Sequence, residues 1–233
     1  DLDGTLADTS ADLIAAANAC FDGMGAGVRL DPATDGGIAL RGGRRMLTEG
    51  LSRAGRRCDE TVNLWYPRLL EVYAGALARE TRMYPGAVAA VRALRAAGYA
   101  TGVCTNKPEA LAVDLLGQLG VGDLFDALIG ADTLPTRKPD VAPYWAAVDR
   151  SGGRGAASLL VGDSETDRKT ARAAGVPCVL VTFPPGAEDV HAMGAEAVID
   201  HYDALEDTVR RLIGQASRAA APAPNAARPA GTD

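Results

Sequence analysis

Asp1-Leu2-Asp3-Gly4-Thr5-Leu6-Ala7-Asp8-Thr9 opens the chain, and its reading decides the rest. In extended backbone, residues i and i+2 point to one face, so Asp1 and Asp3 present two carboxylates side by side. The Gly and Thr that follow mark a turn at the end of a strand. In an open parallel sheet, ligands bind in the crevice at the carboxyl ends of the strands. Paired acids alone are common in solvated loops, and three later segments give this pair its weight. Cys104-Thr105-Asn106-Lys107 sets a hydroxyl at the end of an apolar run, just before a helix. Hydroxyl and free N–H groups there suit a phosphate oxygen. Arg137-Lys138-Pro139 precedes another helix. The chain has three lysines, and Lys107 and Lys138 are two of them; the third, Lys169, is expected to face solvent. Val161-Gly162-Asp163-Ser164-Glu165-Thr166-Asp167 places acids straight after an apolar strand. Asp163 and Asp167, four apart, can face one side of a helix start as oxygen ligands for a hard cation. Asp163 or Ser164 would equally serve as a helix N-cap.

Outward from these segments, strands and helices alternate. Strands are expected at 99–104, 127–130, 158–161, 177–182 and 197–199, and helices at 85–97, 108–119, 141–149, 166–174 and 204–213. Strands separated by helices of this length imply βαβ units and a parallel sheet with helices on both faces. Residues 9–80 hold only helical patterns, at 9–24, 46–54 and 61–78, with Gly-rich joints at 23–27 and 36–43. The expected organisation is therefore an α/β core from residues 1–8 and 82–214, a helical insert at 9–81 and an Ala/Pro-rich tail at 215–233. That tail has too few large apolar residues to order itself and is expected to be disordered.

Composition removes several function classes. The 233 residues suffice for one sizeable domain, or a core with a small insert. With 47% hydrophobic and 23% charged residues, the chain is not wholly disordered. No apolar run approaches the roughly 18 residues of a membrane span, and nothing resembles a signal peptide. A net charge of −6 and a pI near 5.0 argue against nucleic-acid binding through bulk charge. An anionic substrate must then be held by local cations or a metal. Four cysteines (Cys20, Cys58, Cys104, Cys178) without a CxxC pair read as reduced thiols of a cytoplasmic protein. Two histidines, His191 and His201, exclude a His-rich metal site and speak against a Ser-His-Asp triad. The chemistry has to run on carboxylates.

DLDGTLADT, TNK, RKP and GDSETD, in that order, resemble the four motifs of the haloacid dehalogenase superfamily of phosphohydrolases, across residues 1–213. CTNKPEAL, ADTLPTRKPD and VGDSETDRKTARAAGVP are most similar to bacterial phosphoglycolate phosphatases. The resemblance implies a Rossmann-like parallel-sheet core with a helical cap insert. It makes Asp1 the nucleophile that forms an aspartyl-phosphate. Asp3 would protonate the leaving alkoxide and then deprotonate the hydrolytic water. Thr105 and Lys138 would hold the phosphoryl oxygens, and Asn106 would be among the substrate-binding residues. Mg²⁺ would bind the Asp1 carboxylate, the Asp3 backbone carbonyl and Asp163, with Asp167 in or just behind that set. The implied reaction is hydrolysis of a small phosphomonoester, foremost 2-phosphoglycolate to glycolate and phosphate. Other small esters (a sugar phosphate, a nucleotide or pyrophosphate) stand as alternatives, as does a non-catalytic phosphate-binding relative or an inactive fragment. The expected partner is a small phosphorylated substrate, with no nucleic acid and no membrane, in a monomer or homodimer.

Neighbouring subfamilies fit less well. Dehalogenases of this fold lack the second acid, here Asp3, and phosphonoacetaldehyde hydrolases use a cap lysine, of which residues 9–80 have none. The candidate substrate reader in the insert is Leu40-Arg41-Gly42-Gly43-Arg44-Arg45, with Arg41 or Arg44 as a fork for a carboxylate; the alternative is a solvated Arg-rich helix start. Asp8 and Thr9 order the hinge to the insert or act as a plain N-cap. Asp140-Val141-Ala142-Pro143 and Phe183-Pro184-Pro185-Gly186 depart from the family pattern beside the crevice. The family's first motif follows a short apolar strand at the centre of the sheet, and here no residue precedes Asp1. The expectation is that the first core strand, about five or six residues, is missing from the chain. Each large apolar side chain of such a strand would contribute roughly 1.5–3 kcal/mol, so the printed chain is expected to be unstable or inactive, with Asp1 poorly anchored beside its own amino group.

Overall fold

Strands in the second half of the chain are apolar runs with no polar alternation, the pattern of strands covered on both faces. The computed structural model describes residues 1–153, 155–186 and 189–219. In chain order, β1 (Ala7–Asp8) leads into α1 (Ser10–Gly23), α2 (Pro32–Ala39), α3 (Gly43–Arg53) and α4 (Asp59–Ala74). Then β2 (Arg82–Met83) returns to pair antiparallel with β1. The remainder alternates: α5 (Ala87–Ala96), β3 (Gly102–Cys104), α6 (Glu109–Gln118), β4 (Ala127–Ile129), α7 (Ala142–Arg150), β5 (Leu160–Gly162), α8 (Glu165–Ala174), β6 (Cys178–Val181), β7 (Ala197–Ile199) and α9 (Leu205–Ala219). All hydrogen-bonded pairs among β3 to β7 are parallel. They form two groups, β3–β4 and β5–β6–β7, and residues of both line a cavity of about 530 Å³ that reaches Asp1. Among the described residues no helix is long and apolar enough to cross a membrane.

Three local readings change. The strands are mostly shorter than their apolar runs: Tyr99 and Pro177, expected at strand starts, precede the first residues of β3 and β6. Residues 36–43, expected as a joint, hold the second half of α2. Its start is well specified: Asp31 accepts from Ala33 N at 2.9 Å, and Pro32 occupies the first turn. Its two glycines allow close packing, since a Cβ on Gly37 would lie 2.5 Å from the Gly186 carbonyl oxygen. At the other end, α9 runs past the expected stop to Ala219, so residues 215–219 of the expected disordered tail are helical. Alanine at two of these five positions favours helix. Residues 220–233, the rest of that tail, lie outside the described residues.

Helices α2, α3 and α4 pack on α1. Phe21, Met46, Leu47, Leu69 and Tyr73 are fully buried there, in one apolar cluster with Leu2, Leu111 and Leu115 of the α/β part. The two crossings between the parts are tied by Asp12. Its buried carboxylate accepts from Glu80 N (3.0 Å), Thr81 N (2.9 Å) and Thr81 Oγ1 (2.7 Å). Asp12→Ala leaves these donors unpaired, at about 1–3 kcal/mol for each buried group left without a partner. Urea denaturation should show a loss of about 2–4 kcal/mol. A loss below about 0.5 kcal/mol, the range of an ordinary surface substitution, would contradict this role.

Candidate active site

Leu2 is wholly buried, and its carbonyl accepts from Thr5 N (3.3 Å), Leu6 N (2.9 Å) and Ala7 N (3.1 Å), folding residues 2–7 into a tight loop. Gly4 takes φ +78°, and a Cβ there would lie 2.6 Å from Asp163 Oδ2. Conformation and surroundings both require glycine. Thr5 Oγ1 donates to Asp163 Oδ1 at 2.8 Å, which joins the opening loop to the turn after β5.

The Asp1 carboxylate accepts from Leu2 N at 2.7 Å and lies 3.0 Å from Lys138 Nζ. Its amino group donates to Val161 O at 2.8 Å. Both the backbone nitrogen and the carboxylate of Asp1 thus have hydrogen-bond partners. Lys138 precedes α7, and its backbone oxygen is fixed by Asn106 Nδ2 at 3.0 Å. Its ammonium also meets Asp167 Oδ1 at 2.6 Å, with the two side chains 2% and 0% exposed. The other Asp167 oxygen accepts from Ser164 Oγ at 2.6 Å and Ser164 N at 3.3 Å, closing a capping box at the start of α8.

Asp163 and Asp167 have opposite electrostatic fates. Burial, and then the Asp167 charge, push Asp163 up to about 7. Burial alone would raise Asp167 as well, but the Lys138 charge and the hydrogen bonds from Lys138 and Ser164 outweigh it and hold Asp167 below the usual carboxylate range. Asp1, Asp163 and Asp167 each bring a carboxylate oxygen within 4.8 Å of the others. Three acids crowded in this way, one of them driven toward its neutral form by burial and a like charge, fit a hard divalent cation with oxygen preference.

Asp3 turns its carboxylate elsewhere. Oδ1 accepts from Thr9 Oγ1 at 2.7 Å and from Lys107 Nζ at 2.8 Å, and Oδ2 lies 3.1 Å from the same ammonium. Thr9 therefore spends its hydroxyl on Asp3, and Asp8 instead accepts from Ser10 N and Oγ at 3.0 and 2.6 Å. Lys107 is 3% exposed and stands 4.5 Å over the Tyr73 ring from α4. Burial alone would lower the Lys107 pKa, but the Asp3 carboxylate outweighs it and leaves it raised.

A cavity of about 300 Å³ joins these groups. Asp1, Asp3, Thr105, Asn106, Lys107, Lys138 and Asp163 line one side, and Arg41, Tyr66 and Tyr73 come from the helical segment. Pro184, Pro185 and Gly186, the departure noted after β6, complete the wall. Buried Thr105 directly follows β3 and donates its N–H to Ile129 O at 2.9 Å. Asp167 is not in the lining and sits behind Lys138.

Of the two candidate arginines only Arg41 lines the cavity. Arg44 is a correction: its guanidinium goes to Asn63 Oδ1 at 2.6 Å and over the Tyr66 ring at 4.5 Å, and it is not part of the cavity wall. Helix α3 already begins at Gly43, so Arg44 projects along its outer face. Sequence reasoning gave Lys107 no role at the site and did not single out Tyr73. The scarcity of lysine was the signal for the first: Lys169 is exposed on Glu165, while the other two are buried on acids.

A family model described as haloacid dehalogenase-like hydrolase matches residues 1–175. A Rhodospirillum rubrum phosphoglycolate phosphatase is 42% identical over 171 residues, 73% of this chain and 71% of that protein. A Caulobacter vibrioides phosphoglycolate phosphatase is 38% identical over 206 residues, 87% of this chain and 85% of that protein. Among solved structures, a Haemophilus somnus protein described as a predicted phosphoglycolate phosphatase superposes with a TM-score of 0.76. It shares 24% identity and covers 89% of this chain and 95% of its own, a likeness of fold.

Proposed function

Because the chain belongs to the haloacid dehalogenase-like hydrolases, we propose that it hydrolyses 2-phosphoglycolate to glycolate and phosphate through an aspartyl-phosphate on Asp1. The observation that carries this reading is the pair of acids on one tight loop, each met by a buried ammonium: Asp1 by Lys138 and Asp3 by Lys107. In the first half, an Asp1 carboxylate oxygen bonds to phosphorus as the ester P–O bond breaks, and Asp3 gives its proton to the leaving oxygen. In the second half, water attacks phosphorus, its proton passes to Asp3, and the bond from Asp1 to phosphorus breaks. The proton taken from water is the one delivered in the next turnover.

Lys138 and the Thr105 hydroxyl hold phosphoryl oxygens in this reading, and Asp167 keeps Lys138 aimed at Asp1. Asn106 acts by fixing the Lys138 backbone. Asp1, Asp163 and the Asp3 carbonyl would hold Mg²⁺, with Asp167 beside them; when bound, the cation offsets the repulsion between an anionic nucleophile and an anionic ester. Helices α1 to α4 serve as the cap that excludes water and reads the rest of the substrate. Arg41 in the cavity wall provides a cation for a carboxylate, and the names of the relatives support glycolate as the group released.

The test is phosphate release from 2-phosphoglycolate, several sugar phosphates, a nucleoside monophosphate and pyrophosphate. The expected kcat/KM for 2-phosphoglycolate exceeds the others by at least about tenfold. Chelation should remove activity by more than about 100-fold, with recovery on adding Mg²⁺. Equal rates across the panel would remove the substrate assignment, and activity indifferent to chelation would remove the metal.

A further inference from the structure

Lys107 is the one lysine on the cavity wall to which the proposed reaction assigns no task, yet its surroundings are closely specified. Its ammonium contacts both oxygens of Asp3 and faces the ring of Tyr73 at 4.5 Å. Tyr73 is buried in the cap. An ammonium over an aromatic face is attracted by the ring's electrostatic field, more strongly where water is excluded. The ammonium thus bridges the core acid and a cap side chain, and it is held by the two together. A carboxylate that touches both an ammonium and the Thr9 hydroxyl has little freedom to turn about its side-chain bonds.

We propose that Lys107 is a positioning residue for Asp3: seated between Asp3 of the core and Tyr73 of the cap, it sets the direction in which Asp3 exchanges its proton and ties that aim to the seating of the cap. This rests on the reading of Asp3 as general acid and base. An acid aimed at the leaving oxygen matters for an alkyl ester, whose alkoxide needs a proton. It matters little for p-nitrophenyl phosphate, whose phenolate leaves without one. The ratio of kcat/KM between the two esters therefore reports the aim of Asp3 and is blind to a uniform structural loss.

The experiment measures kcat/KM for Lys107→Met, Lys107→Arg, Tyr73→Leu and Asp3→Asn on p-nitrophenyl phosphate and on the best alkyl ester of the panel. Lys107→Met should lose at least about tenfold more on the alkyl ester than on p-nitrophenyl phosphate. Lys107→Arg, which keeps the charge, should show a smaller bias, and Tyr73→Leu a bias of the same sign. An equal loss on both esters in Lys107→Met overturns the proposal, as does a rise in KM alone, which would make Lys107 a contact to substrate. Should Lys107→Met fail to fold, the bias in Lys107→Arg and Tyr73→Leu decides, and its absence from both overturns the proposal. If Asp3→Asn itself shows no bias, the failure belongs to the reading of Asp3; bias there without bias at Lys107 is the failure of this inference alone.

Discussion

Asp1→Asn should reduce turnover of the best substrate by at least about 10⁴-fold, with the fold intact. The substitution is nearly isosteric, and the amide oxygen can still accept from Leu2 N, the contact that fixes the side chain. What disappears is the anionic oxygen that bonds to phosphorus. Lys138 keeps its second partner, Asp167 at 2.6 Å, so its buried ammonium stays paired. A melting temperature within a few degrees of the parent's, together with lost phosphate release, is the expected pair of results. Retention of more than about a tenth of the activity would place the nucleophile elsewhere.

Lys138→Met should be costly in two ways that separate experimentally. Lys138 and Asp167 form a pair with almost no exposure, and removing one partner of a buried pair typically costs about 3–5 kcal/mol because the other charge is left without compensation. Turnover should fall by about 10²–10³-fold, the scale for losing one positioned donor to a charged transition state. Denaturant unfolding reads the first effect and single-turnover kinetics the second. Added divalent cation should recover part of the stability, since Asp1, Asp163 and Asp167 still converge. A variant that is fully stable and loses only substrate affinity would contradict the double role.

Much of the architecture was readable because the strands announce themselves chemically. Cys178–Val181 is an unbroken apolar run ended by a turn, and Gly175 closes the helix before it. The pair β1–β2 was not readable: each strand has two residues, and their partnership spans the whole helical segment. No local periodicity encodes such a contact. Helix α2 was hidden by Gly36 and Gly37, which lower helix propensity but are needed for the approach to Pro185 and Gly186.

The site divides in the same way. Thr105 and Asp163 directly follow β3 and β5, where topology alone predicts convergence, and the structure brings them to one cavity with Asp1, Asp3 and Lys138. Arg41 and Arg44 look alike in sequence, and the start of α3 at Gly43 separates them. Tyr73, at helical spacing in α4, reads as an ordinary core residue, and only its position over Lys107 marks it out. Thr9 occupies a helix-start position, and its bond to Asp3 depends on the tight loop that Leu2 and Gly4 make.

The central claim is a phosphoryl group carried on Asp1. It is tested most directly by quenching the enzyme during turnover of 2-phosphoglycolate with Mg²⁺, reducing it with borohydride and sequencing the peptide that carries Asp1 by mass spectrometry. An acyl phosphate is reduced to the alcohol, so homoserine in place of Asp1, present only when substrate and cation are both supplied, is the predicted result. An unmodified Asp1 in enzyme that is turning over, or homoserine at Asp163 instead, would contradict it.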